Sequence, residues 1–139
     1  MTGKPEDHAA QRSWNRIDSF RYAFAGLWYM LRTQRNAWIH AAFTVVVVAV
    51  GFWLALDTLE WALIVLSIGG VWMAEFVNTA LEAVVDLASP DIHPLARVGK
   101  DVAAGAVLVG AGTAVMVGLL VLGPPLLEKL RPLLALLPR

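Results

Sequence analysis

Three stretches of the chain, 41–56, 61–74 and 102–127, carry no charged side chain. This feature limits most what the chain can become. A helix needs about 20 apolar residues to cross the hydrocarbon core of a bilayer. The third stretch is long enough alone, and the first becomes so when extended back over 37–40. The second reaches that length only by taking in Glu75, Asn78, Glu82 and Asp86. The composition agrees: 58% of residues are hydrophobic and 16% charged, against roughly a half and a quarter in soluble domains. A water-soluble fold of this size cannot hide that excess. We therefore expect an all-α membrane protein with three spans, at about 37–56, 60–87 and 97–123.

The segments around the spans carry their own signals. Residues 1–13 are polar and read as a flexible N-terminus. Over 14–33, Ile17, Phe20, Phe24, Leu27, Trp28 and Leu31 recur at spacings of three and four, which is one face of a helix. Arg12, Arg16, Arg21, Arg32 and Arg35 surround it. A basic, aromatic-rich amphipathic helix outside the spans predicts a surface helix lying in the membrane interface. Residues 1–36 lack the apolar core and small-residue cleavage site of a signal peptide. Thr58 is placed to cap the second span. Ser89-Pro90-Asp91-Ile92-His93-Pro94 reads as a turn between two prolines. Span three is expected to stop at Gly123-Pro124-Pro125, leaving an apolar and basic tail, 124–139, on the surface. Within that span Ala106, Gly110, Ala114 and Gly118 recur every four residues, and small residues let helices approach closely in lipid.

Charge narrows the partners. Eleven basic and eleven acidic residues cancel, so no bulk field favours nucleic acid. The absence of cysteine excludes disulfides, thiolate zinc sites and a cysteine nucleophile. Lysine and arginine gather in 1–36 and again at Arg97 and Lys100, and none lies between spans one and two. That pattern puts the N-terminus and the second loop in the cytoplasm and makes the chain a multi-pass protein of the cytoplasmic membrane. Lys129, Arg131 and Arg139 in the tail run against this assignment; the early segment takes precedence.

The chemistry sits on span two. At about 100° per residue, Glu75, Asn78, Glu82 and Asp86 fall in a narrow sector of one helix face. Each carboxylate in a bilayer core costs a few kcal/mol or more, and three on one face repel each other. A cation, a shared proton or basic side chains must compensate, and a divalent metal carrying a polyphosphate does so efficiently. Gly99-Lys100-Asp101 opens span three on the same side, where Lys100 can hold a phosphate or pair with an acid of the stripe. No Walker A, G-x-G-x-x-G or soluble-kinase motif is present. On these residues alone other readings stay open: a stripe that only joins helices in an oligomer, a scaffold, or a cation path.

The run Glu75-Phe-Val-Asn78-Thr79-Ala80-Leu-Glu82-Ala-Val-Val-Asp86, followed by Lys100-Asp101 and Ala103-Ala104-Gly105-Ala106, resembles the prokaryotic diacylglycerol kinase and undecaprenol kinase family. The resemblance covers roughly 15–123. Ser19 to Phe24, Asn36 to His40 and Glu60-Trp61 look more like the undecaprenol kinase branch. The resemblance implies a homotrimeric, ATP- and Mg2+-dependent kinase of a lipid alcohol, diacylglycerol or undecaprenol. It implies Glu75 as general base on the lipid hydroxyl, with Asn78 and Arg16 at the lipid. It implies Glu82 as metal ligand, and Gln34 where the family commonly places a second, glutamate ligand. Tyr22, Gln34, Glu82, Asp86, Asp91, Ile92, His93, Lys100 and Asp101 are implied at the nucleotide. Gln34 departs from the family pattern by offering a neutral oxygen, which leaves a catalytically weakened family member as a further reading.

Overall fold

The computed structural model describes residues 16–89 and 93–134, with the side chain of Arg16 and those of Leu133 and Leu134 excepted. The expected flexible segment 1–13, the turn residues Asp91 and Ile92, the side chain of Arg16 and the last tail residues therefore lie outside the described residues. Four helices follow in order: α1 (Arg16–Thr33), α2 (Arg35–Leu54), α3 (Thr58–Ala88) and α4 (Pro94–Leu134). Three of them, α2, α3 and most of α4, are long and apolar enough to cross a membrane, with mean hydropathies of 2.0, 1.5 and 2.3. The lowest value belongs to α3, which carries the polar stripe.

Local chemistry sets the helix ends. One extended residue, Gln34 (φ −99°, ψ 114°), separates α1 from α2. At the other end of α2, Ala55 takes a left-handed conformation (φ 58°), so that its N–H and that of Leu56 reach the carbonyls of Phe52 and Gly51 at 3.2 Å each. Asp57, not the expected Thr58, caps α3. Its carboxylate accepts from the Glu60 N–H at 2.8 Å, while the Glu60 carboxylate accepts from the Asp57 N–H at 2.8 Å. This is a reciprocal capping box, and Asp57 wins because Glu60 stands three residues after it. Pro94 opens α4 at the first helical position, where its missing N–H costs nothing.

α4 packs mainly along α3. Leu54, Leu56, Ile64 and Val121 form a buried cluster where the α2–α3 connection meets α4. Gly51 makes this possible: a Cβ there would lie 2.9 Å from the ring of Trp61. The seam between α3 and α4 runs through Ala103, Val107, Gly110 and Val121; all but Gly110 are buried, and a Cβ on Gly110 would sit 3.8 Å from that of Ala74. Of the expected small-residue stripe, Ala106 is exposed and Gly118 has no neighbour at its Cβ position within 4 Å. The reason is angular. A strict four-residue repeat gains about 40° at each step on a 100° helix, so Ala106 and Gly118 face directions about 120° apart.

α4 also runs on where span three was expected to stop. It passes through Pro124, Pro125 and Pro132 as one helix of 41 residues. Residues on both sides of the prolines are held: Val121 is in the buried cluster and Leu126 packs against it. Lys129 donates to the main-chain carbonyl of Trp53 and stacks over its ring at 4.7 Å. Helices in membrane proteins tolerate proline where neighbours hold the flanking turns. Of the stripe on α1, Ile17, Phe20, Phe24 and Trp28 are exposed, whereas Met30, on another face, is buried.

Candidate functional site

The polar face of α3 is graded. Glu75 is 1% exposed and Asn78 6%. Glu82, two turns on, is half-buried, and Asp86 is exposed. The stripe therefore climbs from the apolar interior to the exposed C-terminal end of α3. The four residues share one face, as their spacing requires, and the neighbouring helices determine how deep each one lies.

Two hollows meet at this face. A cleft of about 340 Å³ is lined by Gln34, Asn36 and His40 from the α1–α2 side, by Glu75, Asn78 and Glu82, and by small and apolar residues of α4. An apolar groove of about 520 Å³ adjoins it, sharing Ile39, His40 and Ala111, and runs along α2, α3 and α4 to Leu126. Glu75 lines the cleft, and His40 lies where cleft and groove adjoin.

Hydrogen bonds divide the polar atoms into two classes. Both oxygens of Glu82 are taken: Gln34 Nε2 donates to Oε2 at 3.0 Å and Asn78 Nδ2 donates to Oε1 at 3.2 Å. Both carboxylate oxygens of Glu75, and Oδ1 of Asn78, are buried without a partner. A buried polar atom left unpaired costs about 1–3 kcal/mol, more if charged, so these three oxygens are places where a donor or a cation belongs. Among the described residues no three His, Asp or Glu side chains converge to hold an ion alone. The donor set still suits Mg2+, a hard cation that takes one or two carboxylates and completes its shell with phosphate and water.

At the exposed end, Lys100 Nζ meets Asp86 Oδ1 at 2.6 Å. This ion pair brings α4's lysine onto the α3 stripe, the pairing that the sequence left open beside phosphate binding. Asp101, one residue on, turns away to Arg97 at 3.8 Å. His93 accepts from the Leu95 N–H through Nδ1 at 3.2 Å and so closes the first turn of α4. Tyr22 is exposed on α1 and is not among the residues lining the cleft. The cleft thus gathers Gln34, Glu75, Asn78 and Glu82, with Asp86 and Lys100 paired at the exposed end of the stripe; Asp101 is engaged with Arg97 and His93 with the start of α4.

His40 and Asn36 were missed as site residues by sequence reasoning. Their signal is a four-residue polar rhythm, Asn36, His40 and Thr44, on a helix otherwise apolar. Thr44 explains itself structurally, since it accepts from Trp72 Nε1 at 3.2 Å across α2 and α3.

Comparison with known proteins agrees with this architecture. Residues 21–122 match the sequence profile of the prokaryotic diacylglycerol kinase family. The undecaprenol kinase of Bacillus subtilis is 45% identical over 108 residues, covering 78% of this chain and 88% of its own. The diacylglycerol kinase of Synechocystis is 46% identical over 122 residues, covering 87% of this chain and 70% of its own. The diacylglycerol kinase of Escherichia coli K12 is 31% identical over 109 residues, covering 73% and 89%. The chain belongs to the prokaryotic diacylglycerol kinase family of lipid kinases.

Proposed function

We propose that the protein transfers the γ-phosphoryl group of ATP to the hydroxyl of a lipid alcohol, diacylglycerol or undecaprenol, at the cytoplasmic face of the cell membrane. The observation that carries the reading is Glu75, a buried carboxylate with no hydrogen-bond partner, in a polar cleft that adjoins an apolar groove. The groove suits a hydrocarbon tail, and the cleft suits a hydroxyl and phosphates. Glu75 accepts the hydroxyl proton as the lipid oxygen attacks the γ-phosphorus. The new P–O bond forms, the bond to ADP breaks, and the proton leaves through the cleft. Phosphoryl transfer of this kind depends mostly on positioning and charge neutralisation. Asn78 and Arg16 orient the lipid. Lys100 exchanges Asp86 for a phosphate oxygen, while Tyr22, Asp86, Asp91, Ile92, His93 and Asp101 complete the nucleotide contacts.

Glu82 would hold Mg2+, with Gln34 offering a neutral oxygen, and the ion would neutralise charge on the ATP phosphates. The basic, aromatic α1 lies in the interface, with the N-terminus in the cytoplasm. A homotrimer supplies walls that one chain lacks: only 17%, 28% and 11% of the most apolar windows of α2, α3 and α4 are buried. A cation path along the same stripe is disfavoured by Lys100, whose positive charge stands at the stripe's exposed end.

The test uses purified protein in detergent micelles with labelled ATP and either lipid. Label is expected to appear on lipid only when Mg2+ is present. No label on either lipid, with the protein folded, would overturn the proposal.

A further inference from the structure

Gln34 does more than stand where a carboxylate is usual. It is the single extended residue between α1 and α2, and its N–H is already bonded to the Met30 carbonyl at 2.8 Å. Its side chain makes no capping bond to α2. It reaches instead across 48 positions of sequence to Glu82, giving Nε2–H to Oε2 at 3.0 Å. Asn78 holds the other oxygen of the same carboxylate at 3.2 Å. Glu82 is thus clamped between two amides, and the α1–α2 junction is tied to α3 through the clamp. The junction is tightly packed beside this bond, with Met30 1% exposed and Ala37 fully buried.

A carboxylate at position 34 could not make this bond. Two acids facing each other repel and need a cation or a shared proton between them to hold the junction closed. An amide donates where the acid would repel. We infer that Gln34 is a positioning residue that holds Glu82 and the α1–α2 junction in place without a metal, so that the free protein neither needs nor tightly binds Mg2+ and takes the ion together with ATP. This inference rests on the proposed metal role of Glu82.

Three full-length proteins in detergent, wild type, Gln34→Glu and Gln34→Leu, test it without nucleotide. Thermal unfolding is recorded in EDTA and in MgCl2, and Mn2+ binding is read by electron paramagnetic resonance. The wild type is expected to melt at the same temperature in both buffers. Gln34→Glu is expected to melt lower in EDTA, to recover in Mg2+, and to bind Mn2+ roughly tenfold or more tightly, the scale on which changes around a metal ligand act. Gln34→Leu, which loses the bond without adding charge, is expected to melt lower in both buffers with no recovery. The inference is overturned if the wild type gains as much from Mg2+ as Gln34→Glu does, or if Gln34→Leu melts like the wild type. Lipid phosphorylation by the same wild-type preparation separates the two proposals: its absence would sink the kinase reading, while the melting series would still report on the amide clamp.

Discussion

Replacing Glu75 by Gln sets function and stability against each other. The exchange conserves shape and removes the ionisable oxygen. In the native structure the side chain is 1% exposed and neither oxygen has a hydrogen-bond partner. An unpaired buried polar group costs about 1–3 kcal/mol when neutral and more when charged. A neutral amide in the same place is therefore expected to leave stability unchanged or raise it by about 1 kcal/mol, since an unbonded carboxylate costs at least as much to bury as an amide. Turnover should move the other way. Loss of a positioned general base lowers rates about 10²–10⁴-fold, which is about 3–5 kcal/mol of activation free energy. The assay pairs label transfer from ATP to lipid with thermal unfolding of the same preparation. Glu75→Asp serves as control, because it keeps the acid but withdraws it by one methylene, and it should retain part of the activity. Turnover of Glu75→Gln near the wild-type value would remove the carboxylate from the reaction. A clear fall in melting temperature would show that Glu75 has a structural partner and that its oxygens are not free for substrate.

Other consequences follow from contacts elsewhere. Gly51→Ala puts a Cβ 2.9 Å from Trp61, whose ring is already tilted against Phe52 at 4.8 Å between centroids. Overpacking of about 1–3 kcal/mol should outweigh the helix-propensity gain of about 1 kcal/mol, and the double variant with Trp61→Phe should recover stability in thermal unfolding. Lys100→Ala is expected to raise the KM for ATP about tenfold, because a charged hydrogen bond is worth about 1.5–3 kcal/mol. The same change should leave thermal unfolding nearly unaffected, as expected for a solvent-facing ion pair with Asp86. Lys129→Met removes the donor to the Trp53 carbonyl and the cation over its ring, and should lower the melting temperature slightly while leaving kinase turnover unchanged.

How far the sequence revealed this molecule depended on whether a feature obeys local geometry. Glu75, Asn78, Glu82 and Asp86 lie on one face because the helix alone puts them there, whereas the cap of α3 falls one residue before the expected Thr58, at Asp57, because Glu60 stands three residues after it. The four-residue run of small residues on α4 obeys local geometry too, but it drifts by about 40° per step, so Gly110 meets α3 while Ala106 is exposed. The prolines at 124 and 125 misled for the opposite reason. Their local cost is real, yet Leu126 and Lys129 are fastened to other helices and carry the turn across them. Burial was the least legible quantity. Nothing local distinguishes Glu75 from Asp86, but tertiary packing buries the first and leaves the second exposed beside Lys100.

Order along the stripe then follows from that covering and bears on function. An acid at the exposed end can pair with a solvent-facing lysine and release it at little cost, as Asp86 and Lys100 are placed to do. An acid at mid-depth needs fixed partners, and Glu82 has two amides. An acid at the buried end with no partner is costly unless substrate arrives to complete it, and Glu75 occupies that end. A stripe meant only to join helices would place its best-bonded residue deepest. Here the deepest residue is the least bonded, which is the arrangement expected where a hydroxyl from the membrane must supply the missing hydrogen bond.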